Sequence, residues 1–74
     1  MSVTVRFLGG SEKTFREANA VCCEGTLIVL TKSSRELRRP ALICSFPTNQ
    51  VMSADVFKDG VVTGHILGGG ALPH

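Results

Sequence analysis

Apolar side chains recur at every second position near the start of this chain, which is the period of a half-buried β-strand. Val3, Val5 and Phe7 alternate with polar residues. This alternation predicts a first strand over residues 2–8, with one apolar face directed to a core.

The next part of the chain predicts three more strands of unequal strength. Weak alternation indicates short strands near residues 13–17 and 19–23. Residues 26–31 carry the strongest signal, because the run from Leu27 to Leu30 is apolar on both faces and rich in β-branched side chains. Such a strand is expected to be central in its sheet and covered on both sides.

A tight turn is predicted between the third and fourth of these strands. Glu24-Gly25 separates them, and glycine readily adopts the positive φ that two-residue hairpin turns require. In the register that this turn sets, Cys22 faces Leu27 and Val21 faces Ile28.

The second half of the chain contains one ambiguous segment. Residues 41–46 alternate and predict a strand. A turn at 47–51 and a strand at 52–58 are favoured, because Asp59-Gly60 is a strong hairpin signal. A helix over residues 48–56 is the open alternative, since helices also commonly end at a glycine.

These elements predict an all-β fold, or a β-rich fold with one short helical turn. Five or six short antiparallel strands would form a meander that closes into a small barrel or an SH3-like sheet. Residues 1–67 form the single predicted domain, and the glycine-rich residues 68–74 a flexible tail. Because small sheets expose their edges, homodimerisation through a sheet edge is also expected.

The length and composition of the chain indicate a small folded domain and limit the classes of function that it can have. The chain has 74 residues, 43% of them hydrophobic and 19% charged, which is typical of a folded domain. A domain this small buries about 60% of the surface of its unfolded chain and has little volume for a deep pocket. The size argues against a self-contained enzyme.

The chain offers no membrane or secretion signal. Its longest apolar run, Leu27 to Leu30, is far short of the roughly 20 residues of a membrane-spanning helix. Its N-terminal residues lack the charged and then apolar leader of a secreted protein. We therefore expect a cytoplasmic protein with no membrane partner.

The three cysteines predict reduced thiols and no metal site. Cys22, Cys23 and Cys44 are odd in number, and two of them are adjacent, unlike a disulfide framework. Neighbours on a strand point to opposite faces, so Cys22 and Cys23 do not readily share a zinc ion, even with His65 and His74 counted as ligands. One of the adjacent pair, together with Cys44, is expected to be a small buried hydrophobe, and the other to be exposed.

No catalytic or cofactor-binding constellation is recognisable. His65 has no serine or carboxylate beside it at a known spacing, and Asp55 and Asp59 are expected to be solvated at strand ends and turns. The Lys13-Thr14 pair lacks the glycine and the following helix of a phosphate loop. We expect a protein that is not an enzyme and that holds no cofactor.

One segment carries the positive charge. Residues 32–39 contain Lys32, Arg35, Arg38 and Arg39 against one acidic side chain, a local net charge of +3 in a chain of net charge +2. Arginine-rich surfaces are common at protein interfaces, and they also contact phosphates. These four residues are the predicted partner-binding site.

The sequence thus favours a non-enzymatic interaction module that binds another protein, of the kind that bacteria and their phages encode as accessory or modulator proteins. The alternative is a small barrel that binds nucleic acid through the basic 32–39 loop. It is less favoured, because all four phenylalanines occupy positions that suit the core and leave no ring for base stacking.

Overall fold

The computed structural model of the protein describes residues 1–36 and 38–69, which form two antiparallel β-sheets joined by turns and one short 3-10 turn. Seven strands are present in this part of the chain. In chain order they are β1 (Ser2–Phe7), β2 (Glu12–Phe15), β3 (Ala20–Glu24), β4 (Leu27–Lys32), β5 (Ala41–Pro47), β6 (Val51–Lys58) and β7 (Val61–Leu67), with the 3-10 turn at Thr48–Gln50 between β5 and β6.

The predicted all-β class is confirmed, but the predicted meander is not. One sheet has the order β2-β1-β6-β7 and the other β3-β4-β5. The first strand therefore pairs with the sixth, across more than forty residues of sequence. Over residues 1–36 and 38–69 the strands belong to two separate sheets, so a closed barrel is not confirmed.

The core lies between the two sheets and follows the alternation of the sequence. Inward-facing aliphatic residues of β1, β4 and β6 meet there, joined by one alanine from the connection between β2 and β3. The buried cluster consists of Val3, Val5, Ala18, Ile28, Leu30, Val51, Ala54 and Val56.

The ambiguous segment is a strand, as favoured from the sequence. The 3-10 turn at Thr48–Gln50 falls within the predicted turn, and β6 follows it directly. The hairpin from β6 to β7 turns at Asp59 and Gly60, whose φ angles are +53° and +79°. Positive φ at both central residues is the pattern of the type I′ turn that Asp-Gly favours.

The predicted register of the β3–β4 hairpin is wrong by two residues. Its turn residues are Gly25 and Thr26, so that Cys22 lies opposite Val29 and Val21 opposite Leu30. Gly25, with φ of +60°, occupies the first central position, where a positive φ is needed in a type II′ turn. A shift of two residues keeps every side chain on its predicted face but changes its partner.

Strand β4 is the centre of its sheet, as predicted, but it is not covered along both faces. Ile28 and Leu30 are fully buried on the inner face. On the outer face Val29 is 7% exposed, whereas Leu27 is 41% exposed. The expected double coverage therefore holds at Val29 and fails at Leu27, next to the turn.

The chain stays packed immediately after β7. Gly68 is buried, and its backbone N–H donates to the carbonyl of Met52 at 3.0 Å. A Cβ atom at this position would lie 1.9 Å from the carbonyl oxygen of Val51, so the close approach requires glycine. Residues 70–74 of the predicted tail lie outside the described residues, and the domain boundary at residue 67 stays a prediction.

Candidate functional site

The predicted partner-binding residues lie at the end of β4 and on the connection from β4 to β5. Lys32 ends β4, and Arg35, Arg38 and Arg39 follow in turns and bends before β5 begins; all four are exposed. Among residues 1–36 and 38–69, Arg6 forms an ion pair with Glu12, and His65 forms a hydrogen bond with Asp55; neither contact involves the loop. Leu37, in the middle of the loop, lies outside the described residues.

The base of this loop is fixed by Asn19, just before β3. The Asn19 side-chain amide donates to the carbonyl of Ser33 at 2.8 Å, and its side-chain oxygen accepts the Ser33 N–H at 2.9 Å. The backbone N–H of Asn19 also donates to the carbonyl of Thr31 at 2.9 Å. The asparagine amide thus acts like one more peptide unit of the ladder and orients the start of the loop.

The sequence pattern does not identify this role of Asn19. A single asparagine between two weak strands most often indicates a turn, and nothing local shows that its partner is fourteen residues away. The contact becomes visible once the β3–β4 register is known.

One exposed apolar side chain follows the basic residues along the chain. Leu42, the second residue of β5, is 66% exposed. It lies opposite Thr31, on the outer face that also carries Val29 and Leu27. We call the exposed set Lys32, Arg35, Arg38, Arg39 and Leu42 the cationic loop surface.

Three of the four phenylalanines belong to the interior, as predicted. Phe7 and Phe46 pack edge to face with their ring centroids 5.1 Å apart, and Phe15 lies 5.8 Å from Phe46. All three are half-buried against the core cluster. The prediction is wrong for Phe57, which pairs with Ser2 on the outer face of the four-stranded sheet.

The prediction for the adjacent cysteines is wrong as well. Cys22 and Cys23 are both exposed: Cys22 lies on the outer face of the edge strand β3, and Cys23 lies near the turn that ends the strand. The Cys23 thiol donates a weak hydrogen bond to the carbonyl of Gly25 at 3.7 Å.

Cys44 packs against the core, as expected, but it is half-buried and not fully buried. Its burial raises the pKa of the thiol above the ordinary value, while the nearby charge of Lys13 acts in the opposite direction. Among the described residues, no group of three or more His, Cys, Asp and Glu side chains could hold a metal ion. His74, which the sequence offered as a ligand, lies outside them.

His65 has a partner that the sequence did not reveal. It lies opposite Asp55 in the β6–β7 ladder, and its Nδ1 donates a hydrogen bond to Oδ1 of Asp55. A β-bulge makes this pairing possible, because the register shifts between Val56 and Phe57 and leaves Thr63 as an extra residue of β7. The Thr63 hydroxyl donates to the carbonyl of Val56 at 3.4 Å.

The His65–Asp55 pair ends a polar row across the four-stranded sheet. Thr14, Thr4, Asp55 and His65 are successive cross-strand partners, and the two threonine hydroxyl oxygens are 2.9 Å apart. Thr4 lies beside Asp55, on the side away from His65. The row therefore does not reproduce the order nucleophile, histidine, carboxylate of a hydrolytic triad.

A groove of about 400 Å³ runs between the edge strands β3 and β7. Ala20 and Val21 line it on one side and Gly64 and Ile66 on the other, with Val56 between them. The groove is open to solvent and mostly apolar. It shares no residue with the cationic loop surface, although Asn19, which holds Ser33, also lines it.

Neither a protein-family model, nor a curated protein, nor a solved structure matches this chain. Over residues 1–36 and 38–69, no helix has the length and apolar character needed to cross a lipid bilayer.

Proposed function

We propose that this protein is a non-enzymatic module that binds another protein through the cationic loop surface. The observation that carries the proposal is the combination of exposed basic side chains with an exposed leucine on one anchored loop and strand. Lys32 and the three arginines are exposed, and Leu42 beside them is 66% exposed. Arginine is enriched at interfaces, where an apolar centre with a polar rim is the common arrangement.

The charge of this surface defines the chemistry of the partner. The loop has a net charge of +3, and the rest of the chain is slightly acidic. A partner surface that places Asp or Glu side chains around an apolar contact for Leu42 is complementary to it. The hydrogen bonds of Asn19 to Ser33 support binding, because they fix the start of the loop and so reduce the conformational entropy that this end loses in a complex.

Nucleic acid is the weaker candidate for the same residues. Proteins that bind single strands without sequence preference combine basic grooves with aromatic stacking platforms. Three of the four phenylalanine rings pack against one another or the core, and Phe57 lies on the other sheet. The surface around the basic loop instead presents an aliphatic side chain, which favours a protein partner.

Such a module acts by occupying a surface of its partner, as small bacterial and phage accessory proteins do. The proposal includes no catalytic step, no cofactor and no membrane contact. It places the complex in the cytoplasm of a bacterium or of a phage-infected host.

Affinity capture with two charge-matched variants tests this function. One variant replaces Arg35, Arg38 and Arg39 with Ala. The other replaces Arg6, Arg16 and Lys58 with Ala, at exposed positions outside the loop. Both lose three positive charges. The wild-type protein and the second variant should retain the same acidic protein from a nuclease-treated bacterial lysate, and the loop variant should not.

Two results contradict the proposal. Equal retention by both variants would assign the interaction to a different surface. Loss of retention after nuclease treatment, together with retarded migration of DNA or RNA by the purified wild-type protein, would favour the nucleic-acid alternative.

A further inference from the structure

Strand β3 is one of the two edge strands of the three-stranded sheet, and it has β4 as its one pairing partner among residues 1–36 and 38–69. Its pairing with β4 is regular from end to end. The other edges are less suited to adding a strand. β5 and β7 both have register shifts, and β2 has four residues with Glu12 and Lys13 among them. Bulges and edge charges oppose strand addition, and β3 has no bulge and one charge, Glu24, at its end.

The hydrogen bonds of the sheet show which backbone groups of β3 are free to pair. The N–H of Thr48 donates to the carbonyl of Thr26 at 2.9 Å, so Thr26 faces β5. Bonding direction alternates along a strand, and the odd-numbered residues of β4 therefore face β3. Their partners in β3 are the even-numbered residues. The backbone N–H and C=O groups of Val21 and Cys23 therefore point away from β4, towards the open edge.

We propose that a second copy of this chain pairs antiparallel with β3 around a two-fold axis at Cys22, and that oxidation joins the two Cys22 thiols in an intermolecular disulfide. Cys22 is the middle residue of the five in β3. In this register Val21 of each copy lies opposite Cys23 of the other. Ala20 lies opposite Glu24, so no like charges face each other. The inference does not depend on the proposed function, because it uses a different edge of the molecule.

The geometry of this pairing suits a disulfide. The backbone N–H and C=O groups of Cys22 point to β4 and make no hydrogen bond to the second copy. The two Cys22 residues therefore form a non-hydrogen-bonded pair. Cα atoms in such pairs are about 4.5 Å apart. Disulfides span Cα separations of about 4.4–6.8 Å. Both thiols are exposed and lie on the same outer face, opposite Val29 of their own copy.

The groove beside β3 provides space for the incoming strand. Its volume of about 400 Å³ lies between β3 and β7, where the inward side chain of Cys23 from the second copy would enter beside Val21. Five residues of strand span about 17 Å, so the two copies would meet along a short edge only. Stable complexes bury roughly 1,200 Å² or more. The non-covalent dimer is therefore expected to be transient, and the disulfide would hold the two copies together as long as oxidising conditions last.

The covalent step needs a disulfide oxidant, such as oxidised glutathione. The Cys22 thiolate of one copy attacks a glutathione sulfur, forms a mixed disulfide and releases one glutathione thiolate. The Cys22 thiolate of the second copy then attacks the protein sulfur of this mixed disulfide and releases the second glutathione. Two thiols are oxidised to one disulfide, and one oxidised glutathione is reduced to two thiols.

Non-reducing electrophoresis after incubation with oxidised glutathione tests the proposal. The wild-type protein and the Cys23→Ser and Cys44→Ser variants should form a covalent dimer. Cys22→Ser should form at least about ten-fold less, because its remaining thiols are not held opposite their counterparts. Comparable dimer from Cys22→Ser would overturn the proposal, as would an oxidised wild-type protein that stays monomeric.

A matched pair at Cys23 tests strand pairing separately from the thiol. Cys23→Pro removes an N–H that faces the free edge and makes no bond to β4, whereas Cys23→Ser keeps it. Cross-linking through Cys22 should persist in Cys23→Ser and fall about ten-fold in Cys23→Pro. Equal cross-linking in the two variants would contradict edge pairing. Circular dichroism checks that Cys23→Pro folds; if it does not, the comparison of Cys22→Ser with Cys23→Ser still decides the proposal.

Discussion

Among single residues, Asn19 has the side chain that orients the start of the basic loop. It makes two hydrogen bonds to the backbone of Ser33. Asn19→Ala removes both, and each is worth about 0.5–1.5 kcal/mol. We expect the free energy of unfolding to fall by about 1–2 kcal/mol and the Ser33 amide to exchange faster with solvent. Asn49→Ala, at an exposed position in the 3-10 turn, is the control; unchanged exchange at Ser33 would contradict the anchoring role.

The three cysteines should differ in their rate of alkylation, because they differ in burial. Burial raises the pKa of the Cys44 thiol, so its reactive thiolate forms at higher pH than that of an ordinary cysteine. Cys22 and Cys23 are exposed. At neutral pH, mass spectrometry should show alkylation of Cys44 after the other two, with the difference lost in urea. Equal rates in the folded protein would show that Cys44 is not protected.

At the scale of elements, the exit from β7 depends on a close backbone contact. Gly68→Ala would bring a Cβ atom to 1.9 Å from the carbonyl oxygen of Val51, so the backbone must shift. Overpacking of this kind destabilises by about 1–3 kcal/mol. Gly9→Ala is the matched control, since no atom lies within 4 Å of its Cβ position and its φ is not positive. Urea midpoints that fall equally in both variants would rule out this account of Gly68.

The strands themselves could be predicted from the sequence, but a bulge within one of them could not. Local alternation gave the strands, and Asp59-Gly60 gave the β6–β7 turn. A regular ladder from that turn puts Asp55 opposite Gly64, and the bulge at Thr63 moves His65 into that position instead. A bulge leaves no signature in an alternating pattern as short as this, so the His65–Asp55 pair was missed.

The pairing of distant strands was missed for a related reason. Alternation shows that β1 and β6 each have one apolar face, but not that they are neighbours. The exposure of the basic residues, in contrast, was predictable, because Lys and Arg side chains keep their charged ends in water and are rarely fully buried. The anchor of the loop at Asn19 depends on long-range register and was not predictable.

At the scale of the whole molecule, the small net charge hides a separation of charge. The loop at residues 32–39 has a net charge of +3 in a chain of +2. If this loop binds an acidic partner, raising the ionic strength should weaken the complex, mainly by slowing association. The loop variant with Arg35, Arg38 and Arg39 replaced by Ala should show little residual salt dependence. A complex of the wild-type protein that is insensitive to salt would contradict an electrostatic contact.

The decisive question for the proposed function is which residues of this protein contact the partner. We would titrate the isotope-labelled protein with the acidic protein recovered by affinity capture and follow the backbone amide signals by nuclear magnetic resonance. If the proposal is right, the largest changes fall at Arg35, Arg38, Arg39 and Leu42 and spread to Ser33. Changes concentrated on the polar row of the four-stranded sheet or in the groove between β3 and β7, with the loop signals unmoved, would contradict it.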